Sequence, residues 1–311
     1  MSEWCTNRLE FSGKSVCIDI LLEWVTGAEV PRYRHAVQQS IRLFLAGCAG
    51  ILKPTSTTEY RPYPPLIPLG TGPASSPNQA FEQWLGLLRR DVPLNGETIR
   101  ETERLYHQTG LGALRWDNLP AAAQQVMRPI LRRQYADWFG VVGLSDNIDA
   151  GECWERLAVL PEYAPPCDML LVIPTRLAAE INGNGSLLSG MSTQASLYER
   201  LYGMVWPSGH NVRHARSEGG ALTVWLDSPW YPPSGELIGE LSAVFDCQVR
   251  HSYCEPVNGV QGYDCYDQGE HVDGHQGLPV DVWSDDPMLM PEGDMPLLLN
   301  AEAASYGGVR G

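Results

Sequence analysis

Residues 221–254, ALTVWLDSPWYPPSGELIGELSAVFDCQVRHSYC, constrain the fold more strongly than any other stretch of the chain. The first part, 221–228, alternates apolar and polar side chains, which is typical of a half-buried strand. Two prolines then interrupt the chain, and Ser234 is placed to cap an amphipathic helix over 234–245. A second alternating run follows at 247–254. The stretch therefore predicts a strand, a helix and a further strand in succession.

The amino-terminal residues begin in the same way. Residues 3–12 alternate like a half-buried strand, and the apolar positions of 14–27 follow helical spacing up to Gly27. The run CDMLLVIP at 167–174 is apolar apart from Asp168 and ends at proline, which indicates a central strand. Because strands and helices mix without a strict β-α-β repeat, the predicted class is α+β, an antiparallel sheet with helices on one face.

The middle of the chain has a different character. Several amphipathic patterns with helical spacing lie between 30 and 160, and they are interrupted by a proline-rich irregular segment at 53–78. We therefore predict three regions. A ferredoxin-like domain is formed by 1–29 together with 161–270, a mostly helical insertion covers 30–160, and an acidic carboxyl-terminal tail covers 271–311.

Charge is the unusual bulk property, since the formal net charge is −15. Residues 251–309 contain eleven Asp or Glu and no Lys or Arg. Such a surface repels nucleic-acid phosphates and attracts a basic partner, including a protein that itself binds DNA. A solvated acidic tail without a partner is the alternative interpretation.

Five short segments, in this order, resemble one known family: WCTNRLEFSG, LLVIPTRL, YGMVWPSGHNV, LDSPWYPP and YCEPVNGVQG. Together they are similar to the YubB-like ferredoxin-like domain family of plasmid- and phage-borne bacterial proteins. The positions that carry the resemblance are Trp4, Cys5, Asn7, Leu9, Gly13, Gly203, Trp206, Asp227, Trp230, Pro232, Pro233, Tyr253, Glu255 and Pro256. The chain departs from the family pattern between Gly203 and Trp206, where the pattern's lysine is missing, and at Val257, which replaces a glycine. The resemblance implies a fold and a mobile-element setting, and it implies no reaction.

A metal site is the first chemical possibility. Cys254, Cys265, His271 and His275 include two histidines four positions apart, which suits a pair of zinc ligands. The two cysteines are eleven positions apart, however, and the segment between them and the histidines is rich in Gly and Asp. Loop histidines and buried cysteines are therefore the favoured interpretation. No nucleophile motif or phosphate-binding loop is present, so no catalytic residue and no cofactor are predicted.

Aromatic residues crowd the segments that carry the resemblance, namely Trp206, Trp225, Trp230, Tyr231 and Tyr253. On the face of a sheet such rings stack nucleic-acid bases, and at a surface they bind protein. We rank a role in the core first, a protein interface second and a nucleic-acid interface third, because nearby basic residues are few.

The sequence thus favours a non-enzymatic interaction protein that docks on a host protein. The most specific version of this hypothesis is an anti-defence or anti-restriction inhibitor that mimics DNA and binds a nucleic-acid-binding defence component. The predicted partner-binding residues are Trp206, Trp230, Tyr231, Glu255, Asp285, Asp286, Glu292 and Asp294. The alternatives are a metal-assisted hydrolase or nucleic-acid-processing enzyme that uses residues 254–275, and a single-strand-binding module. The oligomeric state is left open.

Localisation follows from what the sequence lacks. The amino terminus has no apolar run typical of a secretory signal, and the longest apolar run, 43–52, is too short to span a bilayer. We therefore expect a cytoplasmic protein that does not enter the membrane.

Overall fold

The computed structural model describes residues 4–56, 70–133, 138, 149–160, 162–185, 187–255 and 260–277. This part of the chain contains a six-stranded sheet. Its strands are β1 (Trp4–Gly13), β2 (His210–Arg216), β3 (Leu222–Pro229), β4 (Cys247–Glu255), β5 (Val260–Asp267) and β6 (Glu270–Gln276). The order across the sheet is β2-β3-β1-β4-β5-β6, and every neighbouring pair is antiparallel.

The helices are α1 (Ser15–Thr26), α2 (Arg32–Cys48), α3 (Ser76–Arg89), α4 (Gly96–Thr109), α5 (Ala121–Arg132), α6 (Ala150–Arg156), α7 (Leu177–Asn182), α8 (Gln194–Tyr202) and α9 (Gly235–Val244). Short 3-10 turns lie at Leu111–Ala113, Trp116–Asn118 and Met169–Leu171. Among the described helices, none combines the length and the apolar character needed to cross a bilayer.

The chain order β1-α1-β2-β3-α9-β4 is the β-α-β-β-α-β succession of a ferredoxin-like fold. The first strand lies inside the sheet, between β3 and β4, as that topology requires. A hairpin formed by β5 and β6 extends the sheet beyond β4. The predicted α+β class and the ferredoxin-like, antiparallel sheet are therefore confirmed, with helices α2 to α8 lying in sequence between α1 and β2.

Strand β1 forms because its alternate residues enter the core while its backbone pairs on both sides. Leu9 and Phe11 are fully buried, and Leu9 lies opposite Val224 of β3 and His251 of β4. Helix α1 packs on β1 and β3, and α9 packs on β4 and β5. The buried apolar residues of both helices belong to the same cluster as Leu9 and Phe11, so the two helices cover one face of the sheet.

A buried arginine joins the helices that follow α1. Arg42 of α2 donates from Nη1 to the Tyr106 hydroxyl and from Nη2 to the Leu114 carbonyl oxygen, both at 2.7 Å. Its guanidinium carbon lies 4.1 Å from the centroid of the Trp154 ring on α6. A planar cation that stacks and donates at once suits such a site better than lysine, and it ties α2, α4 and α6 together.

The prediction of a central strand at 167–174 is wrong. Cys167 has φ +51°, and the Asp168 carboxylate accepts a hydrogen bond from the Leu170 amide at 3.1 Å, which starts a 3-10 turn at Met169–Leu171. The backbone of this segment forms hydrogen bonds with other segments instead of with a strand. Cys167 N donates to the Trp24 carbonyl, and Met169 N donates to the Pro207 carbonyl. Burial among helices produces the same continuous apolar run as a central strand, which is why the pattern misled.

The predicted boundary of the acidic tail at 271 is also wrong, as is the assignment of the Gly- and Asp-rich residues to a loop. Residues 270–276 form strand β6, and Asp267 pairs with Glu270 across a two-residue turn. Gln268 has φ +49° and Gly269 has φ +89°, as such a hairpin turn requires. The remaining residues of the predicted tail, 278–311, lie outside the described part of the chain.

Buried Asp168 connects α1 to α2. Asp168 accepts a hydrogen bond from the Tyr33 hydroxyl at 2.6 Å, and its own carbonyl oxygen accepts one from Trp24 Nε1 at 2.8 Å. Arg34 Nε in turn donates to the Tyr33 hydroxyl at 3.0 Å. Burial raises the pKa of Asp168 from 3.8 to about 6, although the hydrogen bond from Tyr33 opposes that shift.

A second buried polar group lies inside the sheet. Asn7 of β1 donates from Nδ2 to Ser228 Oγ at 2.8 Å, and His251 Nε2 lies 3.0 Å from Asn7 Oδ1. Because that oxygen can only accept, Nε2 of His251 carries the hydrogen. Burial lowers the pKa of His251 from 6.5 to about 3, so the ring is neutral in the folded protein.

Asp168 makes folding sensitive to pH. Between pH 3.8 and about 6 the folded state holds a proton on Asp168 that the unfolded state releases, so this group lowers stability as the pH rises through that window. Asp168→Asn imitates the protonated form. We expect its stability relative to the wild type to rise by on the order of 1 kcal/mol from pH 5 to pH 7.5, measured by urea denaturation. Asp117→Asn, at an exposed site, controls for the loss of one charge. An Asp168→Asn difference that is constant with pH contradicts the assignment.

His251 acts with the opposite sign. Between about pH 3 and 6.5 the unfolded state binds a proton on His251 that the folded state does not bind. This group therefore lowers the stability of the fold as the pH falls. His251→Gln keeps an amide donor for Asn7 and cannot titrate. We expect the wild type to lose on the order of 2 kcal/mol more than His251→Gln when the pH falls from 7.5 to 5. Equal losses in the two proteins, measured in the same denaturation series, would exclude a buried neutral histidine.

Candidate functional site

Three exposed tryptophans lie together at one end of the sheet. Trp206 is 51 % exposed, Trp230 is 37 % exposed and Trp4 is 36 % exposed. The centroid of Trp206 lies 6.2 Å from those of both Trp4 and Trp230, and the His210 ring lies 4.7 Å from Trp4 and 5.9 Å from Trp206. We call Trp4, Trp206, Trp230 and His210 the aromatic patch. Tyr231 is also exposed and follows Trp230 directly.

Strand pairing places two sides of the aromatic patch. Trp4 begins β1 and lies opposite Pro229, the last residue of β3, so Trp230 follows at the same end of the sheet. His210 begins β2 and lies opposite Asp227 of β3. The antiparallel register therefore brings the start of two strands and the end of a third to one corner.

A close backbone contact brings in Trp206. Helix α8 ends at Gly203, which has φ +77°. A Cβ at Gly203 would lie 2.9 Å from the Ser234 amide nitrogen and 3.2 Å from the Pro232 carbonyl oxygen, so only glycine fits. The Ser234 amide donates to the Tyr202 carbonyl oxygen at 2.8 Å. This contact fastens the segment that contains Trp206 to the turn that follows Trp230.

Trp230 itself has φ +63°, in the left-handed region. For a bulky residue that conformation costs about 1–2 kcal/mol. The turn is held by the Tyr231 amide, which donates to the Pro229 carbonyl at 2.7 Å, and by Ser228 Oγ, which donates to the Tyr231 carbonyl at 2.6 Å. Because Ser228 also accepts from Asn7, a buried chain of hydrogen bonds runs from His251 to this turn.

The rings of the aromatic patch have few polar contacts of their own. In the described part of the chain, no Arg or Lys lies over the three indoles, and no residue accepts a hydrogen bond from their N–H groups. Nε2 of His210 is buried and has no hydrogen-bond partner there. Asp227 lies at the edge of the patch, where its Oδ2 accepts from Asn211 Nδ2 at 2.8 Å. The patch thus presents aromatic surface, indole donors and one carboxylate.

The other predicted interface residues fall elsewhere. Glu255 is the last residue of β4. Trp225 and Tyr253 are buried, so their faces are not available to stack bases, as a single-strand-binding face requires. The predicted acidic residues Asp285, Asp286, Glu292 and Asp294 lie outside the described residues. Of the predicted set, the structure brings together Trp206 and Trp230, with Tyr231 beside them.

Two residues of the patch were missed by the sequence prediction. Trp4 is predicted only as a position that carries the family resemblance, and His210 is not among the predicted site residues. The signal for Trp4 is its position at the start of the alternating residues 3–12, which puts an aromatic ring at a strand end. Nothing local identifies His210, because its neighbours come from β1 and from the segment after α8.

The proposed metal ligands do not converge. Cys254 lies opposite Gln261 and Cys265 lies opposite Arg250, so the two cysteines are four residue pairs apart along neighbouring strands, about 13 Å. His271 and His275 are four residues apart on β6, and His271 Nε2 lies 2.9 Å from Asp264 Oδ1. Within the described ranges, no group of three or more His, Cys, Asp or Glu has the spacing to hold a metal ion. The geometry does not support the metal-dependent alternative.

A buried carboxylate on α7 has an evident structural role. Glu180 Oε1 accepts hydrogen bonds from Thr175 Oγ1 and the Tyr198 hydroxyl, and Oε2 accepts one from Gln194 Nε2, all at 2.6 Å. Burial raises the pKa of Glu180, while these three donors oppose the rise. Both oxygens accept from donors on α8 and on the turn before α7, so the carboxylate holds α7 against these segments.

Known relatives agree with this architecture. The family described as "Protein of unknown function (DUF1281)" matches residues 30–206, and a "Ferredoxin-like domain in Api92-like protein" matches residues 209–277. The Escherichia coli K12 protein YubA is 36 % identical over 169 residues, which are 54 % of this chain and 98 % of YubA. YubB from the same organism is 35 % identical over 145 residues, which are 46 % of this chain and 99 % of YubB. Both are described as uncharacterized.

A solved structure is similar over most of the chain. The crystal structure of api92 from Yersinia pseudotuberculosis has a TM-score of 0.86 and 55 % sequence identity, and the match covers 90 % of this chain and 99 % of api92. The resemblance to a YubB-like family is therefore confirmed. With more than half of its residues matched by the family and a ferredoxin-like domain following it, the chain belongs to the DUF1281 family of proteins of unknown function.

Proposed function

We propose that this chain is a non-enzymatic interaction protein that docks on a partner protein through the aromatic patch. The observation that supports this most directly is Trp230, a bulky residue in the left-handed conformation whose ring remains more than one-third exposed. The backbone strain is not offset by full burial of the indole. Strain retained at an exposed residue is a reason to suspect function.

The surroundings of Trp230 support the same interpretation. Tryptophan and tyrosine are the residues that contribute most at protein interfaces, where a large ring is buried and a polar edge finds a partner. Trp206, Trp230 and Tyr231 provide such rings on a corner built from three separate segments. Their indole donors have no acceptor among the described residues, so a partner is free to supply one.

The charge of the chain indicates the class of partner. A net charge of −15 favours a basic protein, and proteins that bind nucleic acids are commonly basic. We therefore keep a cytoplasmic nucleic-acid-binding protein, including a defence component, as the proposed target. The mobile-element setting and the anti-defence role stay predictions.

The strain at Trp230 has a direct test. At φ +63° glycine is more stable than alanine, whereas at ordinary positions the order is reversed. We expect Trp230→Gly to exceed Trp230→Ala in stability by about 1 kcal/mol in urea denaturation. Trp206 does not have a positive φ, so Trp206→Gly should be no more stable than Trp206→Ala. If Trp230→Ala is instead as stable as Trp230→Gly or more stable, the backbone at Trp230 is not strained.

The docking function is tested by capture that depends on the patch. Immobilised wild type is compared with Trp206→Ala and Trp230→Gly in an Escherichia coli lysate, with bound proteins identified by mass spectrometry. Tyr163→Ala, which removes an aromatic ring 70 % exposed elsewhere, is the matched control. We expect a specific protein that binds to the wild type and to Tyr163→Ala and is lost from both patch variants. An identical set of proteins on all four samples would reject the patch as a docking surface.

A further inference from the structure

We infer that the aromatic patch recognises arginine side chains of a basic partner, with Asp227 as the counter-charge. This inference rests on the proposed docking function and names the chemistry that the patch selects. It draws on three observations: the exposure of the indoles, the position of one carboxylate, and the charge of the whole chain.

The indole faces provide the first argument. Tryptophan is the best aromatic partner for a cation, and contact requires the cation within about 6 Å of a ring centroid. The chain pairs several of its own arginines with aromatic rings, as in Arg42 over Trp154 and Arg250 over Tyr263. In the described residues none of these cations is directed at Trp4, Trp206 or Trp230. The exposed indole surface of the patch is thus not used for cation contacts within the described part of the chain.

The ring spacing favours a planar cation. Trp206 lies 6.2 Å from Trp4 and 6.2 Å from Trp230, with interplanar angles of 32° and 28°. Trp206 and Trp230 are stacked and Trp4 is tilted against Trp206, so a flat group can extend this stack on the exposed part of the indoles. A guanidinium is flat, weakly hydrated and able to stack while its N–H groups remain available, whereas an ammonium is compact and strongly hydrated. The patch accordingly fits arginine better than lysine.

Asp227 supplies the negative charge. It lies opposite His210 in the β2–β3 pairing, and the His210 ring lies against Trp4. Oδ2 of Asp227 accepts from Asn211, and in the described part of the chain no hydrogen bond is made by Oδ1. A guanidinium over the rings has donors to spare for such an oxygen. A carboxylate beside aromatic rings matches both the positive charge and the flat shape of a guanidinium.

The net charge favours a basic protein as the partner over the other ligands that aromatic surfaces bind. Proline-rich peptides also dock on tryptophan, but their affinity does not require negative charge. A chain of net charge −15 attracts basic proteins at long range and repels nucleic acids. The patch then provides short-range selection for arginine among the cations that arrive.

The test uses a hexa-arginine peptide blocked at both ends, titrated into the full-length chain at physiological salt with tryptophan fluorescence and calorimetry as readouts. Trp206→Ala leaves the net charge unchanged, so general attraction to acidic residues is equal in the two proteins. We expect Trp206→Ala to weaken binding by about three- to tenfold and hexa-lysine to bind more weakly than hexa-arginine. Asp227→Asn should weaken binding by a few-fold, and Asp117→Asn, the charge-matched control, by less than twofold.

Equal affinity of hexa-arginine for the wild type and Trp206→Ala overturns the inference, as does an equal effect of Asp227→Asn and Asp117→Asn. A proline-rich peptide of the same length that binds more tightly than hexa-arginine, with the same dependence on Trp206, also overturns it. If lysate capture depends on the patch while hexa-arginine binding does not, only the arginine inference fails. If neither depends on the patch, the docking function fails as well.

Discussion

The pairing of β1 with both β3 and β4 is the interaction on which the rest of the structure depends. The two central neighbours of β1 follow it by more than 200 residues, and the helices α2 to α8 lie between them in sequence. The matched ferredoxin-like domain covers 209–277 and does not include β1, although the sheet order places β1 between β3 and β4. Without β1 those two strands have no partner on their inner edges, and the core beneath loses Leu9 and Phe11. The sheet is therefore completed only when both ends of the described chain meet.

The same strand also orients the aromatic patch. Trp4 contributes a ring, and Asn7, three residues later, connects the buried His251 to Ser228 and so to the turn that holds Trp230. A fully satisfied buried network is rigid, because each lost bond would leave an unpaired polar group. Core and patch are thus coupled by one short segment. This coupling explains why the motif that opens the chain combines an exposed ring with a buried amide.

Local patterns predicted those parts of the fold whose residues alternate or repeat on one face: β1, β3, β4, α1 and α9, and with them the α+β class. They failed where the pattern of polar and apolar residues does not match the secondary structure. Strand β2 is an edge strand with mostly exposed residues, and β6 is exposed throughout, so neither alternates. The run at 167–174 is apolar because helices surround it, and Asp168 turns it into a 3-10 helix. For the site, aromatic composition singled out Trp206 and Trp230. Their proximity depends on the contact of Gly203 with Pro232 and Ser234, which no local pattern encodes.

Under the proposed function, charge and rings have separate tasks. Charges act over roughly a Debye length, about 8 Å at physiological salt, and mainly raise the rate of encounter with a basic partner. Rings act only on contact, and well-packed aromatic contacts mainly slow dissociation. The patch occupies one corner of the sheet, whereas much of the acidic excess lies from Glu255 onward in the sequence. Surface charge of this kind attracts many basic proteins without choosing among them. Selectivity must then come from a small, stiff surface, and a tryptophan held against its conformational preference by a buried hydrogen-bond chain is such a surface.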